Sequence, residues 1–257
     1  MLRESVAAVR TFVLVPLVFI YTMALALVIL TIGAFSPTAS VLDRIVDHWA
    51  RMFLRIPPVT VVSEGKENVD LSRRYVVAAN HLSMFDVPLL LEELPISGRY
   101  LSKKELFRLP LIGRAMRTIG IIEVDRQAGG SSRQAINEGV RVAAERGHSL
   151  LVFPEGTRSR DGNLLPFKKG AFRIAIDTGL PLLPVIIEGT DRISRPGSKV
   201  YRPGTVHIRI LEPIETSAMT NRDDLGSLAA RVEQSITEHY AAMRAAASLA
   251  ERPRHQS

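Results

Sequence analysis

The spacing of apolar and polar positions changes character three times along the chain. From Phe12 to Phe35, 24 residues pass without a charge. As a helix that run is about 36 Å long at about 1.5 Å per residue, enough to cross a hydrocarbon core of about 30 Å. It is too long for the core of a signal peptide and no small-x-small cleavage site follows, so it is read as retained. Pro16 is a candidate kink. From Val41 the pattern becomes amphipathic. Leu42, Ile45, Val46, Trp49, Met52, Phe53 and Ile56 fall within about 140° of arc at about 100° per residue. Asp43, Arg44, Asp47, His48, Arg51 and Arg55 take the other side, with Leu54 the exception. Ser40 is a candidate cap, and Pro57-Pro58 ends the helix. Such a stripe suits a lipid interface, where Trp49 is at home, or packing on the first helix or on a folded domain. The expectation is a two-helix membrane anchor over residues 1–58 that lies partly in one leaflet.

The third pattern begins at Val59, where short apolar runs alternate with helical stretches. Thr60 to Ser63, Tyr75 to Ala79, Gly120 to Val124, Leu150 to Phe153, Leu183 to Ile187 and Val206 to Leu211 read as strands. Ser131-Ser132-Arg133-Gln134 offers a capping box to a helix ending near Gly147. Phe167 to Thr178 reads as another helix. Leu225, Leu228, Val232, Ile236, Tyr240 and Met243 form a late helical stripe suited to covering a sheet. This alternation predicts an α/β fold, a layered, parallel or mixed sheet flanked by helices. The domain is placed at residues 59–249, with a disordered tail at 250–257 and no internal repeat.

Composition narrows the function classes. The 46% hydrophobic content supports a real core, and a charge of +7 raises the question of nucleic acid. The basic residues are scattered, aromatics reach only 6%, and no nucleic-acid-binding motif stands out. Anionic lipid and phosphate headgroups fit the charge better. The chain has no cysteine, hence no disulfide, which fits a cytosolic face.

Two short motifs carry the chemistry. Asn80-His81-Leu82-Ser83-Met84-Phe85-Asp86 follows an apolar strand and precedes a helical run at Val87 to Leu94, with Pro88 placed in its first turn. Five residues along a regular helix turn through about 500°, so His81 and Asp86 meet only if the histidine lies in the turn before it. There the imidazole can take a proton from a hydroxyl while the carboxylate holds its other nitrogen. The competing reading is a lone turn histidine with Asp86 capping or solvating the helix. The second motif is Phe153-Pro154-Glu155-Gly156-Thr157-Arg158-Ser159. Gly156 permits a tight turn, the backbone supplies N–H groups, and Arg158 supplies a planar cationic fork suited to phosphate. Glu155 beside an anion is repulsive, so it is read as accepting hydrogen bonds from hydroxyls or orienting a cation. The alternative is a surface turn with a solvated arginine. Lys168 and Lys169, before Gly170-Ala171-Phe172, are read as a solvated helix end or an anion contact.

With these two motifs the chain resembles the 1-acyl-glycerol-3-phosphate acyltransferases. All four of that family's motifs are present in order: Asn80 to Asp86, Gly120 to Arg126, Phe153 to Ser159, and Leu183 to Gly189. The likeness extends over roughly Val59 to Pro213 and includes Lys103-Lys104-Glu105-Leu106 and Pro110-Leu111-Ile112-Gly113. Glu123 departs from the apolar residue usual at its place. The resemblance implies that His81 is a general base paired with Asp86. It implies that Arg126, Glu155, Gly156, Thr157 and Arg158 hold a glycerol phosphate, with Lys104 a further candidate for the phosphate. It implies lysophosphatidic acid as acceptor and an acyl-coenzyme A or acyl-carrier-protein thioester as donor, with no other cofactor.

Direct attack of a hydroxyl on a thioester needs no protein nucleophile, which suits a chain without cysteine or a G-x-S-x-G elbow. No metal site is expected, since His48, His148, His207, His239 and His255 lack ligand-like spacing. The donor places the catalytic domain on the cytoplasmic side of a membrane. Two alternatives stay open: the same chemistry on glycerol-3-phosphate or another lysophospholipid, and a non-catalytic membrane protein that binds anionic lipid.

Overall fold

The computed structural model describes residues 2–36, 38, 40–125, 130–220 and 222–250. A seven-stranded mixed sheet organises them. Its strands are β1 (Val59–Glu64), β2 (Val76–Ala79), β3 (Gly98–Lys103), β4 (Ile122–Val124), β5 (Ser149–Val152), β6 (Leu182–Glu188) and β7 (Gly204–Ile210). Their order is β1-β7-β6-β2-β5-β3-β4, and β7 with β6 is the one antiparallel pair among these seven strands. β1 runs parallel to β7, so this edge pair opposes the five parallel strands of the body. The buried runs Val76–Ala79, Ser149–Val152 and Leu182–Glu188 sit at the centre, and such runs require protein on both faces.

The helices supply those faces. They are α1 (Leu2–Phe35), α2 (Val41–Leu54), α3 (Asp86–Glu93), α4 (Lys104–Phe107), α5 (Pro110–Thr118), α6 (Gly130–Glu145), α7 (Gly170–Thr178), α8 (Thr190–Ile193) and α9 (Arg222–Ala250). The late stripe predicted from Leu225 to Met243 is the buried face of α9, packed with Val76, Ala78 and Ile186 of the sheet. Each buried Val, Leu, Ile or Met among them contributes about 1.5–3 kcal/mol. On the other face lie α2 and α3, with Val46, Ala50 and Leu54 against Phe85, Leu89 and Leu90.

Several local expectations are corrected. β3 is a strand the apolar pattern does not show, because Arg99, Ser102 and Lys103 interrupt it. Arg99 is nevertheless buried, joined to Asp43 of α2 and His148, and donates to the Gly98 and Ile119 carbonyls. This cluster holds the Asp43 carboxyl at about 2; burial opposes ionisation there, but hydrogen bonds from His148 and Arg99 and their charges outweigh it. Ser40 makes no side-chain capping bond, and α6 already starts at Gly130, so Ser131 lies inside the helix and not before it. α7 begins at Gly170, three residues after Phe167. Leu54, the exception on the α2 helical wheel, is buried with Ala50, so the inward face is rotated from the predicted stripe. Residues 251–257 lie outside the described residues.

α1 is long and apolar enough to cross a membrane. It runs unbroken through Pro16 and exposes Val9, Phe12, Leu17, Phe19, Ile20 and Leu27 among others. Its opposite side is docked on the domain. Arg10 donates to the Tyr201 carbonyl at 3.0 Å, Tyr201 N–H donates to Thr11 Oγ1 at 3.0 Å, and Trp49 Nε1 donates to Thr22 Oγ1 at 3.1 Å. Near its end Gly33 lets it lie on α5, where a Cβ would meet Thr118 Cγ2 at 2.2 Å.

Candidate active site

β2 ends at Ala79, and His81 lies in the turn between that central strand and α3. Central position in a parallel sheet puts the turn at the carboxyl end of the strands, where open α/β sheets bind ligands. Asp86 opens α3, so the turn brings the pair together as the spacing requires. His81 Nδ1 is 2.7 Å from Asp86 Oδ2. The same oxygen accepts the N–H groups of Leu82 at 2.7 Å and Ser83 at 2.8 Å, and Oδ1 accepts Thr190 Oγ1–H at 2.5 Å. Asp86 is fully buried. A carboxylate only accepts, so Nδ1 carries the proton and Nε2 presents its lone pair. The imidazole stacks on Phe153, centroids 3.9 Å apart and planes 12° apart, which fixes the ring's plane.

The third motif grips the backbone of the first. Glu155 Oε1 accepts His81 N–H at 2.8 Å, and Ser159 N–H donates to the His81 carbonyl at 2.9 Å. Glu155 Oε2 accepts Leu165 N–H at 2.9 Å, and only 1% of the residue is exposed. Its carboxyl is pushed up to about 7: removal from water and the nearby Asp86 charge outweigh the two N–H groups that favour ionisation. Asn80 does a similar job on the fourth motif, its side chain exchanging two 2.8 Å bonds with the Ile187 backbone.

His81, Gly156, Thr157 and Arg158 line one cavity of about 470 Å³, together with Lys103 and Tyr100. Gly156 has φ 71°, and a Cβ there would lie 2.9 Å from Lys168 Nζ, so the Lys168 ammonium hangs over the turn. Of the two readings open for Lys168, a solvated helix end or an anion contact, its place over the Gly156 turn fits the second, and Lys103 adds a further cation to the cavity lining. Lys104 turns away to pair with Asp125 at 2.5 Å, and Glu155 faces inward to backbone, so neither lines the cavity. Arg126 lies outside the described residues. Thr190 and Phe153 also bear on the histidine. Phe153 stands within the third motif, whereas nothing in the sequence marks Thr190.

A second cavity, about 230 Å³ and almost wholly apolar, shares Tyr100 and Leu106 with the first. Ala26 and Ile29 of α1, Trp49 of α2 and Met116 of α5 line it. A space of about 650 Å³ with a mixed lining, Asp43, Arg99 and His148 together with Ile121 and Val142, lies at the opposite end of the strands.

A family model described as Acyltransferase matches residues 60–188. The chain is 36% identical over 162 residues to a 1-acyl-sn-glycerol-3-phosphate acyltransferase of Limnanthes douglasii, covering 63% of this chain. The match spans 57% of that relative's own length. It is 30% identical over 236 residues to the 1-acyl-sn-glycerol-3-phosphate acyltransferase of Saccharomyces cerevisiae, covering 86% of this chain and 77% of the relative. Among solved structures, the 1-acyl-sn-glycerophosphate (LPA) acyltransferase PlsC of Thermotoga maritima superposes with a TM-score of 0.74 at 27% identity, covering 94% of this chain and 96% of that one.

Proposed function

The chain belongs to the acyltransferase family, and from that premise we propose that it transfers a fatty acyl group from a thioester to the free hydroxyl of 1-acyl-glycerol-3-phosphate, giving phosphatidic acid. One observation carries the reading: a carboxylate-paired histidine, whose Nε2 has no hydrogen-bond partner among the described residues, lines the same cavity as Gly156, Thr157 and Arg158. A hydroxyl placed at Nε2 gives up its proton as its oxygen attacks the thioester carbonyl. The tetrahedral adduct collapses by breaking the C–S bond, and the imidazolium returns the proton to the leaving thiolate. Asp86 balances the imidazolium charge throughout. The names of the relatives in Limnanthes and Saccharomyces support the acceptor.

The acceptor's phosphate is assigned to the Gly156 turn, Arg158 and Lys168. Arg158→Ala and Lys168→Ala are each expected to raise the acceptor KM about ten- to hundredfold, the worth of a charge-assisted hydrogen bond of about 1.5–3 kcal/mol. kcat should change little, because the phosphate does not react and its binding is uniform. Steady-state kinetics with varied acceptor reads both effects.

The fatty chain of the donor is assigned to the apolar cavity beyond Tyr100 and Leu106. Ala26→Phe would fill part of that 230 Å³ space with a ring. It is expected to lower kcat/KM for long-chain donors roughly tenfold relative to medium-chain ones. Equal loss for all chain lengths would place the chain elsewhere.

Membrane attachment on the cytoplasmic side is part of the same reading. Its support is the exposed apolar face of α1, whose other face is docked on the domain. A helix held along the domain suits an anchor lying partly in one leaflet better than one crossing alone.

The test is acyl transfer by detergent-purified protein, with acyl-coenzyme A and acyl-carrier-protein donors in separate arms. 1-Acyl-glycerol-3-phosphate should be converted to phosphatidic acid at a kcat/KM at least tenfold above glycerol-3-phosphate and lysophosphatidylcholine. Preference for either of the others would reassign the acceptor. No transfer from either donor to any acceptor would remove the catalytic reading.

A further inference from the structure

We propose that Thr190 is a positioning residue for the transfer reaction, acting through Asp86 to aim the His81 imidazole; the proposal rests on the acyl-transfer reading above. Thr190 opens α8 directly after Gly189, which ends β6 in a left-handed turn with φ 98°. Only glycine suits that turn, since a Cβ would lie 2.6 Å from the Thr205 carbonyl oxygen. The turn carries the Thr190 side chain to a residue 104 positions earlier in the chain, where its hydroxyl donates to Asp86 Oδ1 at 2.5 Å. Both side chains are closed to water, Asp86 at 0% and Thr190 at 1% exposed.

The two carboxylate oxygens are not equivalent. Oδ2 accepts three donors: the His81 ring and the N–H groups of Leu82 and Ser83. Among the described residues, Oδ1 accepts the Thr190 hydroxyl. A carboxylate torsion is broad and twofold, so the oxygen facing the ring is decided by partners rather than by the rotamer well. Thr190 pins Oδ1 and so holds Oδ2 against Nδ1.

Docking of the turn on β6 and α8 does not depend on this bond. Asn80 already exchanges two hydrogen bonds with Ile187, and Ser83 Oγ donates to the Ser194 carbonyl at 2.7 Å. What the threonine adds is control of the carboxylate, a fine adjustment of the kind that partners of an active-site ligand provide.

Thr190→Val keeps the shape and removes the hydroxyl; Thr190→Ser keeps the hydroxyl. Thr190→Val should lose about tenfold in kcat, with both KM values within about twofold of wild type. Thr190→Ser should recover at least half of the wild-type kcat. Should Thr190→Val fold poorly, Thr190→Ala is measured in its place, with the same expectation. A second readout needs no turnover: the His81 Nδ1–H proton resonance in NMR spectra, which should move in Thr190→Val and hold in Thr190→Ser. Wild-type kcat in Thr190→Val, equal impairment in Thr190→Ser, or an unmoved resonance would overturn the proposal. If wild type transfers to no acceptor, the acyl-transfer reading falls by itself and the resonance still decides whether Thr190 positions the pair.

Discussion

His81→Ala is expected to lower kcat by about two to four orders of magnitude, the usual worth of a general base. Nε2 is the group placed to take the acceptor proton, because Nδ1 is held by Asp86 and the ring is clamped against Phe153. Alanine leaves the phosphate turn and the apolar cavity in place, so KM for acceptor and donor should stay within a few-fold. Steady-state kinetics with both substrates varied separates the two effects. Equal rises in KM with kcat retained would make the histidine a binding residue. The substitution should fold, since the tie between the first and third motifs runs through the backbone of residue 81, which alanine keeps.

Glu155→Ala is expected to be the most damaging change outside the reacting groups, in stability and rate together. It strips two N–H groups, those of His81 and Leu165, of their shared acceptor. Each buried donor left unpaired costs about 1–3 kcal/mol. The turn that carries His81 also loses its tie to the third motif, so a fall in kcat of about a hundredfold should accompany the lower Tm. The carboxyl carries a pH signature as well. Its folded pKa is raised to about 7 from an ordinary 4.5. The folded state therefore holds this proton more tightly than the unfolded one. The resulting stability is complete below about pH 4.5 and is lost as pH rises through about 7. Glu155→Gln cannot ionise, so denaturant melts from pH 4.5 to 8 should show this downward component in wild type and lack it in the variant. Gln should sit at a lower stability throughout, because its amide NH2 faces one of the backbone donors. A pH dependence identical in the two proteins would contradict the assignment.

The local parts of the site were legible because they are local. His81 and Asp86 are five positions apart, and a strand-to-helix turn is the geometry that lets them meet. Gly156 and Arg158 sit in one tight turn, where residue type nearly dictates the shape. Longer-range features escaped for a common reason: a sequence does not say which way a side chain faces. Glu155 reads as a ligand for substrate, yet it turns inward to backbone. Lys103 and Lys104 are neighbours at the junction of β3 and α4, and this sends Lys103 to the cavity and Lys104 to Asp125. Thr190 matters only because β6 lies beside β2, a pairing between distant segments. β3 itself was hidden because its buried Arg99 is satisfied by an ion pair with Asp43 that no apolar pattern records. The layered α/β fold, by contrast, follows from the buried runs of β2, β5 and β6, which are continuous and unambiguous.

The central claim is direct transfer, in which the acceptor hydroxyl, deprotonated by His81, attacks the donor thioester. It is tested most directly by a single-turnover experiment with radiolabelled acyl thioester. Purified protein is mixed with the donor, chased with 1-acyl-glycerol-3-phosphate and quenched over time, and the label is followed in protein and in lipid. Label should pass from donor to phosphatidic acid without entering the protein, and only once the acceptor is present. A labelled protein adduct formed before the chase and discharged by the acceptor would contradict the account.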